Sequence, residues 1–286
     1  LTASAIPLSA VRPGDVLLHG GVGPLSDLIA WASNSIYSHA AMALDADTMI
    51  EAGATGVITR PMSTRLTDTA HYTLIDVYRF GPPGAGLNAA QLAALEAKAR
   101  AFLGTPYPLD KLFELGVVCA VRSQLDWPEP LRWLLRVALD HVVESDPNQM
   151  VCSEFVYRSY AEADTQPAGA LRPVIEVVEQ KPAPFPHIDW IALIEEYEDA
   201  RHHSVNRALP AAPSAPRAVG TAGPTAADPH IAAQAALIRA RRARPATRSL
   251  AVKEIIDPFP NTATVSPQDF AASPSFSLLG RVLPST

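Results

Sequence analysis

A chain of 286 residues with 48% hydrophobic residues has material for a full core, and its length fits one large domain or two small ones. Only 18% of its residues are charged, and the net charge of −6 hides an asymmetry. Residues 204–249 hold seven arginines, no lysine and one acid (Asp228), so the remainder carries −12. An acidic body argues against nucleic acid as a partner, and no uncharged apolar run reaches the ~18 residues that a membrane-spanning helix needs.

The N-terminus, Leu1-Thr2-Ala3-Ser4, has no basic start, apolar h-region or initiator Met. It reads as a processed or excised chain, with export left open. Arg12-Pro13-Gly14-Asp15 makes an opening turn into a strand at Val16-Leu17-Leu18. Gly20-Gly21-Val22-Gly23-Pro24 reads as a loop, after which Ser26 or Asp27 caps a short helix through Leu28, Ile29 and Trp31. No lysine follows those glycines and no second glycine fingerprint appears, so a tight turn is a better reading than a phosphate loop. Residues 37–44 and 48–52 predict a hairpin across Asp45-Ala46-Asp47, and a third strand follows at 72–79. Leu92, Leu95, Ala99 and Phe102 recur at helical spacing behind a candidate Asn88 cap, and Gly104-Thr105-Pro106 stops that helix.

Residues 109–145 read as two apolar helices divided by Trp127-Pro128-Glu129-Pro130, the second with Leu131, Leu134, Leu135, Ala138 and Val142 on one face. A helix starts at Cys152 behind the turn-forming Asp146-Pro147-Asn148 and runs to about Ala163. Trp190 to Arg201 reads as the last helix of the main body. From Ser204 to Ser249 alanine and proline dominate, and no aromatic residue occurs between Glu198 and Pro258. Such a segment cannot bury enough surface to offset its ordering entropy, which predicts a flexible linker. Phe259, Phe270, Phe276 and Leu278-Leu279 then restore apolar bulk. The expected organisation is a body at 1–203 with 109–145 as an apolar helical insertion or lid, a linker at 204–249, and a segment at 250–286 that docks back on the body.

Chemistry concentrates at two places. Cys152, in Met150-Val151-Cys152-Ser153-Glu154-Phe155, falls in the first turn of a helix. Unpaired amide donors there lower a thiol pKa, so it is the candidate nucleophile. His39, in Ser38-His39-Ala40-Ala41-Met42, is one imidazole in a small apolar strand and the candidate general base. If Asp45-Ala46-Asp47 is a three-residue turn, Leu44 faces Thr48 and His39 faces Gly53. Glu51 is then diagonal to His39 on the same sheet face and becomes the candidate orienter of the imidazole. A turn one residue shorter would send Glu51 to the other face. Cys119, in an apolar run, reads as structural. Asp15 reads as structural too, and Glu154 is explained by the helix dipole. The other seven histidines, His19 among them, lack matching partners, and no metal-ligand spacing emerges, so no cofactor is expected.

These segments resemble the circularly permuted papain-like cysteine hydrolases of the NlpC type (YiiX-like), relatives of the lecithin–retinol acyltransferase family. The likeness rests on Arg12-Pro13-Gly14-Asp15-Val16-Leu17-Leu18, Ile36-Tyr37-Ser38-His39-Ala40, Met49-Ile50-Glu51-Ala52, Gly104-Thr105-Pro106-Tyr107 and Val151-Cys152-Ser153-Glu154-Phe155 in that order. The His precedes the Cys, the reverse of the usual papain order. The resemblance implies an α+β permuted papain-like fold, with an antiparallel sheet bearing His39 and Glu51 packed against the Cys152 helix. It implies acyl transfer through an acyl-enzyme on Cys152, with Tyr107 lining the substrate site, and a place in the bacterial cell envelope or outside the cell. The substrates it implies are peptide-type amides of cell-wall muropeptides or acyl groups of lipids. Hydrolysis and transfer to another acceptor both stay open. A non-catalytic binding module on the same fold is the alternative, opposed by the presence of both Cys152 and His39. The apolar helices of 109–145 suit either an acyl-chain shield or extra core, and the arginines of 204–249 suit contact with a protein partner or an anionic membrane.

Limited trypsin digestion is expected to cut first after the arginines of 204–249 and to leave 109–145 protected. Rapid cleavage inside 109–145 would overturn the domain reading.

Overall fold

In the computed structural model, residues 3–108, 149–175, 186, 188–207, 262 and 265–283 are described. They fall in one compact unit made of Leu1–Arg207 and Phe259–Thr286. The expected insertion at 109–145, with Cys119, and nearly all of the 204–249 stretch lie outside the described residues. The elements in chain order are β1 (Val16–Gly21), α1 (Pro24–Ala32), β2 (His39–Ala43), β3 (Thr48–Gly53), β4 (Gly56–Pro61), α2 (Met62–Thr67), β5 (Tyr72–Phe80), α3 (Ala89–Ala101), α4 (Cys152–Ala161), α5 (Trp190–Arg207), α6 (Pro267–Ala272) and β6 (Phe276–Leu283).

The strands form one six-stranded sheet in the order β4-β3-β2-β1-β5-β6, with every neighbouring pair antiparallel. With helices packed against it, the fold is α+β. Side-chain alternation divides the interior in two. Val16, Leu18, Ala40, Met42 and Ile50 face a cluster with Leu95 of α3 and Phe155, Val156 and Tyr160 of α4. Leu17, Ala41, Ala43, Met49, Ile75 and Val77 face a second cluster closed by Val11 and Met62. Every one of these strand residues is fully buried or nearly so, which is why β1, β2 and β5 read as continuous apolar runs rather than alternating ones.

The β2–β3 hairpin fixes the face on which Glu51 lies. Ala41 pairs with Glu51, Met42 with Ile50 and Ala43 with Met49, and the Leu44 amide donates to the Thr48 carbonyl at 2.8 Å. This is the register of the three-residue turn. Asp45 holds it, its Oδ1 accepting from the amides of Asp47 and Thr48, both at 2.7 Å.

Two local expectations change. The helix α1 is not capped by Ser26 or Asp27: its N-cap is Gly23, at φ 116°, with Pro24 opening the first turn. The glycine-rich run ends in a helix start whose Leu25 amide donates to Glu196 Oε2 of α5 at 3.1 Å, so a carboxylate of the protein occupies the place a phosphate loop would offer an anion. The last helix of the body continues to Arg207 rather than ending at Arg201. For α3, Asn88 is the cap as expected, in a reciprocal box with Gln91.

β4 and α2 were not foreseen between the hairpin and the next strand. β4 holds only three strand-favouring residues, Val57, Ile58 and Thr59, between a glycine and Arg60-Pro61, which blunts its strand signal. Its Gly56 needs a positive φ of 84°, and a Cβ there would lie 2.7 Å from the Thr105 carbonyl oxygen. At the other edge β6 closes the sheet against β5. The Arg281 guanidinium donates to both oxygens of the buried Asp76 at 2.6 and 2.9 Å, and Asp76 also accepts from the Tyr37 hydroxyl at 2.7 Å. Replacing Arg281 with Met leaves the Asp76 carboxylate buried without its cation, and is expected to lower stability by about 3 kcal/mol in urea unfolding. A loss under about 1 kcal/mol would mean that apolar pairing alone holds β6.

Candidate active site

Cys152 is the first residue of α4, and the residue before it, Val151, has no side chain able to compete for the first-turn amides. The helix is anchored by Phe155, Val156 and Tyr160, all at 0% exposure, so its N-terminus is held at a fixed height over the sheet. Two further ties come from the C-terminal segment: Ser153 Oγ donates to the Val265 carbonyl at 2.5 Å, and Thr262 Oγ1 donates to Glu154 Oε1 at 2.9 Å. Glu154 is therefore a buried structural tie, beyond what the helix dipole alone requires. The Met150 amide donates to the Pro106 carbonyl at 2.9 Å, which brings the Gly104-Thr105-Pro106-Tyr107 turn beside the thiol.

His39 opens β2, directly across from His19 on β1. Its Nε2 lies 2.9 Å from Glu51 Oε2, which leaves Nδ1 as the ring nitrogen for the neighbouring Cys152. Glu51 is 1% exposed and carries more than the imidazole. Arg60 Nε donates to its Oε1 at 2.6 Å, and Arg65 donates to Oε1 through Nη2 at 2.6 Å and to Oε2 through Nε at 3.3 Å. Arg60 reaches it from β4, diagonally across from Glu51, and Arg65 from α2. Both carboxylate oxygens are thus occupied by charge-assisted donors, which is how a buried carboxylate escapes the desolvation penalty.

The protonation states follow from this geometry. Burial raises the Cys152 thiol, but the charge and hydrogen bond of His39, then the Ala40 and Ser153 amides, bring it below its ordinary range. Burial lowers the His39 imidazole, but the charge and hydrogen bond of Cys152, then Glu51, outweigh it and push it up to about 9. Burial raises the Glu51 carboxyl, yet the His39 hydrogen bond and charge, followed by Arg65, hold it well below the carboxylate range. The two shifts run in the direction that favours a thiolate facing an imidazolium. Tyr107 lies beside the same sulfur; burial, then the Cys152 charge, pushes its hydroxyl well above the ordinary range, so it keeps its proton.

Cys152, His39, Glu51 and Tyr107, four candidates from four separate segments, therefore meet in one cluster. Asp15 lies away from it, accepting from the Arg12 amide at 2.8 Å and from Arg79 at 2.8 and 2.6 Å. Three residues of the cluster were missed. Arg60 and Arg65 belong to the unforeseen β4 and α2, although Arg60 stands two positions past the residue paired with Glu51 in a tight hairpin. His19 was set aside for want of a partner, yet its ring centroid lies 5.1 Å from that of His39 and 5.5 Å from that of Tyr72. Its own alternation from Leu17, onto the face that also bears His39, was the available signal. Among the described residues, no group of three or more His, Cys, Asp and Glu is arranged to hold a metal ion, and no helix is long and apolar enough to cross a membrane.

No family model and no curated protein matches the chain. Among solved structures it is similar to the metalloprotein yiiX from Escherichia coli O157:H7, at 18% identity and a TM-score of 0.38, over 64% of this chain and 92% of that one. At that distance the likeness assigns no residue a role.

The ion pair has a pH signature. Alkylation of Cys152 by iodoacetamide is expected to rise at a pH below the ordinary thiol value of 9.0, because only the lowered thiol pKa must be passed. Glu51→Gln removes the anion under the imidazolium and strands two guanidiniums. It is expected to move that rise to higher pH and to lower stability by about 3 kcal/mol. A Glu51→Gln protein with unchanged stability and an unchanged Cys152 profile would remove Glu51 from the site.

Proposed function

We propose that this protein is a cysteine-dependent acyl-transfer hydrolase that cleaves an amide or ester bond of a cell-envelope substrate, a muropeptide amide or a lipid acyl group, through an acyl-enzyme on Cys152. The observation that carries this reading is a thiol at a helix N-terminus beside an imidazole that rests on a buried carboxylate and shifts the thiol downward. A structural cysteine and a satisfied core histidine need none of these three conditions together.

In this reading the Cys152 thiolate adds to the substrate carbonyl carbon, and the C=O π electrons move to oxygen. The Cys152 amide at the helix start and the Tyr107 hydroxyl are donors on hand for the oxyanion. Collapse of the adduct expels the amine or alkoxide, which takes the proton from His39 Nδ1 and leaves a thioester. A water then gives its proton to the same nitrogen and adds to the thioester carbonyl, and the C–S bond breaks to restore the thiolate. An acceptor other than water at this step makes the product a transferred acyl group. Glu51 does not take a proton: it fixes the imidazole tautomer and balances the cation. His39, Arg60 and Arg65 outnumber the charges of Glu51 and the thiolate by one, which suits a substrate bearing an anionic group near the scissile bond.

Activity in this scheme needs the thiolate and the protonated imidazole at once. It rises with pH through the lowered Cys152 pKa and falls again near pH 9 as His39 loses its proton. The deciding experiment incubates the full chain with amide, ester and thioester substrates and reads the Cys152 peptide by mass spectrometry. The expected result is an acyl adduct on Cys152 that Cys152→Ser abolishes, and that His39→Ala slows by about 10²-fold or more. Turnover that lengthens with acyl chain selects a lipid substrate, and turnover indifferent to it selects a muropeptide amide. No adduct and no Cys152-dependent turnover with any class would sink the proposal and favour a binding module.

A further inference from the structure

The residue this chemistry leaves unused is His19. It is 0% exposed, and neither ring nitrogen completes a hydrogen bond with the protein. The Leu17 carbonyl on its own strand comes close enough only to favour a proton slightly. Buried polar atoms are nearly always paired, so an imidazole with both nitrogens unpaired at the centre of a sheet needs a reason. A phenyl ring would fill the same space with no polar atoms to desolvate.

The surroundings supply one. His19 stands directly opposite His39 on the neighbouring strand, the two rings edge-on at 60°, and meets Tyr72 of β5 on its other side at 66°. Arg65 of α2 lies over the Tyr72 ring, 4.4 Å from its centroid, and also grips Glu51 of β3, which holds His39. The cluster is a closed ring of five side chains: Glu51, His39, His19, Tyr72 and Arg65. His19 is the member set between the imidazolium of His39 and the Arg65–Tyr72 pair. Burial, then the cationic His39 and Arg65, outweigh Glu51 and the Leu17 backbone and keep it uncharged.

We propose that His19 is a positioning residue for the Cys152–His39 pair: a neutral dipole that fixes the plane of the His39 ring and screens its positive charge from Arg65. This rests on the acyl-transfer reading of Cys152 and His39. Fixing the plane matters because the two His39 nitrogens must meet Glu51 and Cys152 at once, and a small rotation satisfies one at the other's expense. Screening matters because two cations share one carboxylate across a low-dielectric interior. With neither nitrogen pinned by a hydrogen bond, the His19 ring is free to take either tautomer while His39 and Tyr72 hold its plane. A phenyl ring keeps the wall and loses the dipole, whereas glutamine keeps a dipole and loses the ring.

The test is the pH profile of Cys152 alkylation by iodoacetamide in the full chain, read by mass spectrometry of the Cys152 peptide. It compares wild type, His19→Phe and His19→Gln, with far-UV circular dichroism and thermal unfolding as controls on folding. In His19→Phe the midpoint is expected about one pH unit higher, a tenfold smaller thiolate fraction below the midpoint. His19→Gln is expected to fall between that variant and wild type. A folded His19→Phe with the wild-type midpoint overturns the proposal. If His19→Phe does not fold, His19→Gln decides: a wild-type midpoint overturns the proposal and a raised one supports it. A wild-type midpoint at the ordinary thiol value would instead overturn the acyl-transfer reading, and this inference with it, so the two failures are distinguishable.

Discussion

A carboxylate buried to 1% exposure in the middle of a sheet is unstable unless its charge is answered, and the environment of Glu51 is organised by that requirement. Three donors from three elements converge on it: His39 from β2, Arg60 from β4 and Arg65 from α2. Each must arrive in register, because the strand pairings fix which side chains share a face. The Asp45 turn sets the β2–β3 register, and the Gly53–Gly56 pairing sets that of β3 with β4. A one-residue slip in either hairpin would carry a charged group to the opposite face, among Met42 and Ile50. The charge cluster therefore acts as a register lock as well as a support for the imidazole.

The Cys152 thiol is held by a different logic. α4 presents its N-terminus to the start of β2, where the Ala40 and Ser153 amides aim at the sulfur. What keeps the helix there is apolar: Phe155 and Tyr160 pack into the main core, with the rings of Phe80 and Phe276 against Tyr160 at 5.5 and 5.4 Å. Phe276 belongs to β6, the last described strand. Val265 and Thr262, also late in the chain, bond to Ser153 and Glu154. The C-terminal segment is thus part of the support of the thiol, although more than a hundred residues separate it from Cys152.

Much of this was legible in the sequence, and the exceptions have physical causes. The hairpin register came from counting residues across Asp45-Ala46-Asp47, because a strand repeats every two residues and a turn of given length admits one pairing. That count alone puts Glu51 beside His39. The helix start at Cys152 was legible from the turn ahead of it and the apolar residues within it. β4 was not, since its β-formers Val57 to Thr59 are framed by Gly56 and by Arg60-Pro61: as an edge strand it is stabilised by pairing and by Arg60 on Glu51. With it went Arg60 and, through α2, Arg65. His19 was not legible as a site residue because its contact with His39 is made across strands, by a ring that forms no hydrogen bond. Pairing β1 with β2, a step that local patterns do not supply, is what brings the two histidines face to face.

The two arginines also change what Glu51 does to the imidazole. Were the carboxylate there only to hold His39 protonated, further cations on it would work against that end, because each draws on the same negative charge. Their presence fits a different requirement. In acyl transfer the imidazole must release its proton to a leaving group and then recover one from water, so an imidazolium held too firmly is as useless as one not held at all. A Glu51 shared among three cations orients the ring and keeps its tautomer, while its pull on the proton is moderated. Cys152 first and Glu51 second leave His39 at about 9, above its ordinary value of 6.5. A lone buried carboxylate would orient the ring equally well and hold the proton harder. The arginines thus separate the two tasks, orientation and basicity, that a single carboxylate would otherwise tie together.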